Sequence, residues 1–442
     1  MKLKLLNIVR PKTALSLLLL LLFTLFPAST FTVSRSFAGG VVSTSTEAGR
    51  LAVFDDAWQT IRERYYDPSL GGIDWTELRE RFRPRAAEAE SSAGLYAVLR
   101  RMISALHDAH TRVYAPDEKF DWQHPRYLGI GVSVREVASQ PTVVSVERDS
   151  AASRAGLRAG DLIKSIDGEN ALDVFTRKLT EQSSSTVAAT RLRAMATLFE
   201  GGAQGSLVRV VWLDGEGKEH AASLKREWRE RELNLKAQRV GGFGLVSFDA
   251  FTPRVAMDFL RALKTDLRHV RGIVIDLRGN GGGDADAMVE MASAFLPAGQ
   301  SLGRFTDRAG RVSLEPHARS RMLYDADDIE PSSLPLVILT GERTASAAEI
   351  FAAVLKEARR AIIIGATTCG CVLAIRRRHL LPDGGVLDIS EMDYRTAAGV
   401  RLEGAGVAPD ETIEVERKDL SNDYDRALEL AIKHLSQNRR RL

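Results

Sequence analysis

The stretch LPLVILTGERTASAAEIFAAVLKEARRAIIIG, residues 334–365, holds a complete turn of architecture. Leu336–Thr340 is a short apolar run rich in β-branched residues, which reads as a buried strand. Gly341 to Ser346 is a polar turn, and the apolar spacing from Ala347 to Ala358 is helical. A second apolar run, Ala361–Gly365, follows. Strand, helix and strand in close succession describe a crossover between parallel neighbours. Working outward, GLVSF (244–248) and GIVIDL (272–277) are runs of the same kind. Helical patterns at Pro253–Thr265 and Asp286–Phe295 alternate with them. Residues 239–420 are therefore expected to form an α/β layer with a largely parallel sheet.

Two strand-to-helix junctions in this layer can carry chemistry. Ser346 ends the turn before the helix at Ala347, where orphan N–H groups and the helix dipole favour negative charge. That suits a nucleophile whose attack creates an oxyanion; serine also serves there as a plain N-cap. The second junction is IVIDLRGNGGGDADAM, residues 273–288. Its three glycines permit close backbone approach, and their N–H groups are candidates for an oxyanion hole. No Lys-Ser/Thr pair follows Gly283, so a phosphate-binding P-loop is disfavoured.

Upstream, residues 48–124 are helical by pattern and end in a loop at Asp108-Ala109-His110-Thr111. Residues 125–228 contain YLGIGVSV, an alternating TVVSVE run and SAASRAGLRAGDLIKSIDG, closing on a hairpin turn at Asp167-Gly168. This unit resembles a PDZ domain of the bacterial protease type. The resemblance implies a peptide groove beside Tyr127, Leu128, Gly129, Ile130 and Gly131, where a ligand C-terminus adds a strand. The helical insert between Leu172 and Glu200 has no assigned purpose. Residues 421–442 read as a C-terminal helix and a solvated basic tail.

Composition narrows the field. The chain has 442 residues, 61 Lys+Arg and 58 Asp+Glu, for a net charge of +3. Five of the basic residues and no acidic one lie in residues 1–38, around an uncharged Leu-rich run at Ala14–Phe26. That segment fits a cleaved secretory signal or a retained membrane anchor. Either delivers the rest of the chain outside the cytoplasm, to the periplasm or the extracellular face, and the anchor would associate it with the membrane. The remainder has 56 basic against 58 acidic residues, which removes any electrostatic case for nucleic acid. Two cysteines exclude a disulfide scaffold.

LHDAHT, GIVIDLRGNGGGDA, ERTASAAEIFAAVLKEA, IIIGATTCG and RLEGAGVAPD occur in order, and together they resemble the tail-specific, or C-terminal processing, serine proteases. The resemblance implies an α+β multidomain fold: an N-terminal helical segment, a PDZ-like β domain and an α/β protease core with crotonase-like ββα layers. It implies Ser346 as nucleophile. Family members with a Ser–Lys dyad carry lysine 25 positions after the serine, and that position is Cys371 here. Lys356 lies ten residues along a helix, about 15 Å from the serine, too far to replace it. The tricorn-like branch is similar in drawing a histidine from upstream and a glutamate from downstream, which match His110 and Glu403. Gly282 and Ala347 would supply the oxyanion N–H groups.

The expected activity is thus an exported serine endopeptidase acting through an acyl-enzyme on polypeptides with unstructured C-termini, without cofactor or metal. His107, His110 and Asp108 could together hold zinc, but the chain has no HExxH string and no further His near a conspicuous carboxylate pair, so no metal is expected. A catalytically inactive peptide-binding scaffold of the same fold is the alternative. Cys369 and Cys371 read as buried thiols, pocket lining or a redox-sensitive clasp. The sequence assigns no oligomeric state.

Overall fold

In the computed structural model, residues 41–118, 126–230, 233–320 and 331–437 are described. The signal or anchor segment and the last basic residues lie outside them. Among the described residues no helix is long and apolar enough to cross a membrane.

Three helices open the described chain: Glu47–Arg64, Trp75–Ala87 and Ser92–Ile103. Each begins at an oxygen-bearing cap, Thr46, Asp74 and Ser91, whose side chain accepts first-turn N–H groups. Trp58 and Trp75 lock the first two helices, each indole N–H donating to the other's carbonyl (2.8 and 3.1 Å). These helices do not fold over a private core. Their buried face, including Phe54, Leu95, Leu99 and Met102, continues into Leu381, Leu387 and Ile389, on and beside two short strands far downstream in the chain. The strand Arg112–Tyr114 pairs antiparallel with Val386–Asp388, which itself pairs with His379–Leu380. The loop bearing His110 thus runs from the third helix into this three-stranded sheet.

The PDZ-like unit has strands Val132–Val137, Gln140–Val146, Leu162–Ile166, Leu207–Leu213 and Glu219–Lys225, adjacent in that order. Asp167 and Gly168 both take positive φ, the backbone of the tight turn expected for Asp-Gly. The insert resolves into helices Ala171–Glu181 and Val187–Ala196, and Phe175, Ala194, Met195 and Leu198 enter the unit's core. Tyr127, Leu128 and Gly129 are not a free loop. They form a strand, Arg126–Gly129, paired with Glu227–Glu230, and only Ile130 and Gly131 remain as the turn into the sheet.

The α/β layer holds a six-stranded sheet. Lys236–Val240 pairs antiparallel with Phe243–Ser247, and then Ile273–Asp276, Leu336–Thr340, Ile362–Gly365 and Glu411–Thr412 follow in parallel. Period-two alternation sends Ile273, Ile275, Ile338 and Ile363 to one face, against Phe259, Phe295 and Phe351 of helices Pro253–Lys264, Ala285–Ala292 and Ala347–Glu357 and their flanks. Val274, Val337, Leu339 and Ile364 go to the other, covered by Ala427, Ala431 and Leu435 of helix Arg426–Gln437. The C-terminal helix thus closes the second face of the sheet. A smaller antiparallel sheet, which includes Arg304–Asp307 and Ser390–Arg395, lies beside it.

Candidate active site

The turn after strand Leu336–Thr340 is pinned before it reaches Ser346. Gly341 N–H donates to Thr344 Oγ1 (3.0 Å), Thr344 Oγ1 donates to Leu277 O (2.7 Å), and Ala345 N–H donates to Asn280 O (3.1 Å). Ser346 is the N-cap residue of helix Ala347–Glu357, with φ 55° and ψ −124°. An ordinary N-cap has extended dihedrals. This serine occupies neither that region nor the left-handed helical basin, so its backbone is strained. Two acceptors hold it there: its N–H is shared by Cys371 O (2.9 Å) and Glu349 Oε2 (3.1 Å).

Glu349 was not among the residues singled out from sequence, although Ser346-x-x-Glu349 has capping-box spacing. It is 0% exposed. Its carboxylate also accepts Cys371 N–H (2.8 Å), Gly370 N–H (2.7 Å) and the Thr368 hydroxyl. Burial pushes its pKa up to about 7, against the pull of those donors. One buried carboxylate thus joins the serine to the 368–371 loop. In that loop Cys369 and Cys371 are disulfide-bonded, which removes the reading as free thiols. Lys356 is elsewhere, paired with Asp410 (2.9 Å).

Gly282 lies against the serine. A Cβ built on it would stand 2.6 Å from Ser346 Cβ, 2.8 Å from Ala345 O and 3.1 Å from Ala347 N, and its φ is +99°. No other residue fits. Its N–H donates to Asn280 Oδ1 (2.8 Å), while Asn280 Nδ2 donates to Phe248 O (3.0 Å). In this conformation the Gly282 N–H is thus turned away from the oxyanion role expected of it. Ala347, as the first helical residue, carries an orphan N–H.

The base and its orienter are nearby but not assembled. Asp108 is buried and forms a local turn, accepting His110 N–H (2.7 Å) and Thr111 N–H (3.2 Å). Ala109 packs with Ala189 and Cys371, and with Ala345 and Cys369, in one small apolar cluster. That contact brings the residue before His110 to the residue before Ser346. His110 Nδ1 is buried with no hydrogen-bond partner among the described residues. Burial depresses its pKa to about 4, with Asp108 opposing the shift and Arg112 and Arg193 adding to it. Glu403 is also buried, and its Oε2 accepts Val372 N–H (2.6 Å) and Leu373 N–H (3.1 Å). It is not paired on the surface with Arg401, which bonds Asp393 instead (3.0 Å). Burial raises Glu403 to about 7, with the Ser185 hydroxyl and those amides pulling it down. Ser185 Oγ also accepts Ala109 N–H (3.2 Å), so a serine of the PDZ insert lies between the His110 loop and Glu403. Among the described residues no cluster of side chains could hold a metal ion.

Residues 240–413 match peptidase family S41, residues 46–104 the tricorn protease C1 domain, and residues 142–178 a PDZ domain. The chain is 26% identical over 390 residues to the chloroplastic C-terminal processing peptidase of Tetradesmus obliquus, covering 82% of this chain and 77% of that protein. It is 24% identical over 396 residues to a probable CtpA-like serine protease of Staphylococcus haemolyticus, covering 87% and 68%. Among solved structures it is similar to the photosystem II D1 C-terminal processing protease, with TM-score 0.53 and 25% identity over 83% of this chain and 93% of that one. Mature CPAF complexed with lactacystin shares the fold, with TM-score 0.64 and 13% identity over 88% and 97%. These likenesses span the helical lead, the PDZ unit and the layer that strains Ser346, and they bear out the resemblance read from the motifs. The chain is a serine peptidase with an S41 core, homologous to the C-terminal processing peptidases.

Proposed function

We propose that this chain is an exported endopeptidase that captures unstructured polypeptide C-termini in its PDZ groove and cleaves them through an acyl-enzyme on Ser346. Export rests on the basic, Leu-rich segment of residues 1–38. The observation that carries the catalytic reading is the strained backbone of Ser346 at a helix N-terminus, with Gly282 as the only residue type that fits against it. A strained serine on a strand-to-helix turn projects its Oγ toward substrate and aims the first helical N–H at the same point.

In the proposed reaction His110 Nε2 takes the proton of Ser346 Oγ as that oxygen attacks the scissile carbonyl carbon. The developing oxyanion is received by Ala347 N–H, joined by Gly282 N–H once it leaves Asn280. Imidazolium then protonates the leaving amine, and the C–N bond breaks to give the acyl-enzyme. Water, deprotonated by the same imidazole, attacks the ester and frees Ser346. Glu403 would face His110 Nδ1, fixing the tautomer and stabilising the cation. That step requires a shift from the present arrangement, in which Nδ1 is partnerless and Glu403 is held by the Val372 and Leu373 amides.

The inactive-scaffold reading has one observation in its favour, the same partnerless Nδ1. Turnover of a disordered polypeptide by the purified chain separates the two. Cleavage is expected, with losses of about 10²–10⁴-fold in His110→Ala and complete loss in Ser346→Ala. Undiminished cleavage in either variant would refute its role, and no cleavage by the parent chain would favour the scaffold.

A further inference from the structure

Among the described residues strand Val132–Val137 pairs only with Gln140–Val146, so it is an edge strand and can accept an added strand. Helix Val187–Ala196 runs alongside that strand. Ile130 and Gly131 stand at the start of that edge, where Gly131 is forced by Ser150: a built Cβ would stand 2.2 Å from Ser150 Cβ. A charged pair links helix and strand. Arg191 on the helix donates from Nε and Nη2 to the two carboxylate oxygens of Glu136 on the strand (2.9 and 2.7 Å).

That pair does more than tie helix to strand. The Arg191 guanidinium lies over the buried Phe175 ring, 5.0 Å from its centroid, so its plane is fixed from below. Glu136 uses the Nε–Nη2 side of the fork. A guanidinium has a second side, Nη1–Nη2, suited to a bidentate carboxylate, and the Arg191 side chain is 42% exposed. One helical turn earlier, Val187 is 79% exposed, an apolar neighbour on the same face. The next residue back, Thr186, donates its hydroxyl to Cys369 O (2.9 Å), in the loop whose Cys371 carbonyl holds Ser346 N–H. A chain lying along this helix is led from the PDZ edge toward the catalytic loop.

We infer that Arg191 is a specificity-determining residue that receives an acidic side chain of the bound polypeptide, a few residues upstream of its C-terminus. This rests on the peptide-capture reading above. With the ligand C-terminus at Ile130–Gly131 and an antiparallel added strand, Glu136 is about five strand positions away, so the acidic residue falls about three to five places from the end. Glu136 orients the receptor and also competes with the ligand charge.

The test measures binding of fluorescein-labelled decapeptides to the full-length Ser346→Ala chain by anisotropy. The peptides share an apolar C-terminal residue and carry one Glu or one Gln at the third, fourth or fifth place from the end. At one of those places the Glu peptide is expected to bind about tenfold more tightly than its Gln partner, as a charge-assisted bidentate contact gives. Arg191→Ala should abolish the difference, Arg191→Lys should reduce it, and Glu136→Gln should preserve or enlarge it, each with a native melting temperature. Arg191→Glu should favour a Lys peptide instead. Equal binding of Glu and Gln peptides at all three places overturns this inference and leaves capture standing. Binding of neither overturns capture, and the inference with it.

Discussion

The turn at Ser346 and the loop at His110 are built on opposite principles, although a single apolar cluster joins them. The serine's strained backbone is over-determined: two acceptors share its N–H, a glycine is fitted against its Cβ, and a buried carboxylate ties it to the next loop. The histidine's backbone is held by Asp108, but among the described residues nothing polar holds its ring at Nδ1. The nucleophile half is preorganised, and the base half awaits a rearrangement. A residue whose supports are complete costs stability when they are removed. A residue with an idle polar atom does not.

Three substitutions and a titration sharpen that contrast, in falling order of effect on the fold. Glu349→Ala strips the acceptor from the Ser346, Gly370 and Cys371 N–H groups, and about 4 kcal/mol of stability should go with it, read from denaturant midpoints. A loss under about 1 kcal/mol would mean that water or a shifted loop replaces the carboxylate. Gly282→Ala places a methyl where φ is +99° and Ser346 Cβ is 2.6 Å away. It should cost about 2–3 kcal/mol and nearly all activity; a wild-type rate would break the claim that Gly282 shapes the site.

The titration concerns Glu349 and Glu403, both raised to about 7 from 4.5 by burial. Between those values the folded chain binds more protons than the unfolded one, so their contribution to stability falls as pH rises toward 7. His110, depressed to about 4, acts in the opposite sense between pH 4 and 6.5. The parent chain should therefore be less stable at pH 8 than at pH 6.5, and Glu349→Gln should shrink that stability difference, read from denaturant midpoints, by about 0.8 kcal/mol. An equal difference in both proteins would show that Glu349 does not titrate in this range. A small effect on the fold is expected from His110→Ala, within about 1 kcal/mol of the parent because loss of a buried unpaired nitrogen offsets the lost packing, despite its large effect on turnover. A loss of several kcal/mol would mean the imidazole is a structural element.

Much of this contrast is legible in the sequence, and the illegible part has a physical reason. Apolar runs such as Ile273–Asp276 and Leu336–Thr340 declare buried parallel strands, and Asp167-Gly168 declares its own turn. Ser346 was legible as a residue at a helix start. Its dihedrals were not, because strain is imposed by Glu349 and Cys371 from three and 25 residues away in sequence. Glu349 itself was within reach of capping-box spacing, but burial of its carboxylate under a distant loop leaves no local trace. The helical insert of the PDZ unit was visible as a pattern without a purpose. Its contacts, Ser185 with Ala109 and Thr186 with Cys369, link segments 76 and 183 residues apart. The C-terminal helix is likewise expected from the sequence, but not the sheet face it covers.

The central claim is that Ser346 is a prebuilt nucleophile. Labelling of the intact purified chain with a fluorophosphonate, followed by mapping of the modified residue, tests it most directly. The account predicts a single adduct on Ser346, slowed in His110→Ala and absent in Ser346→Ala. An adduct on another serine, or undiminished labelling of Ser346→Ala, would contradict it.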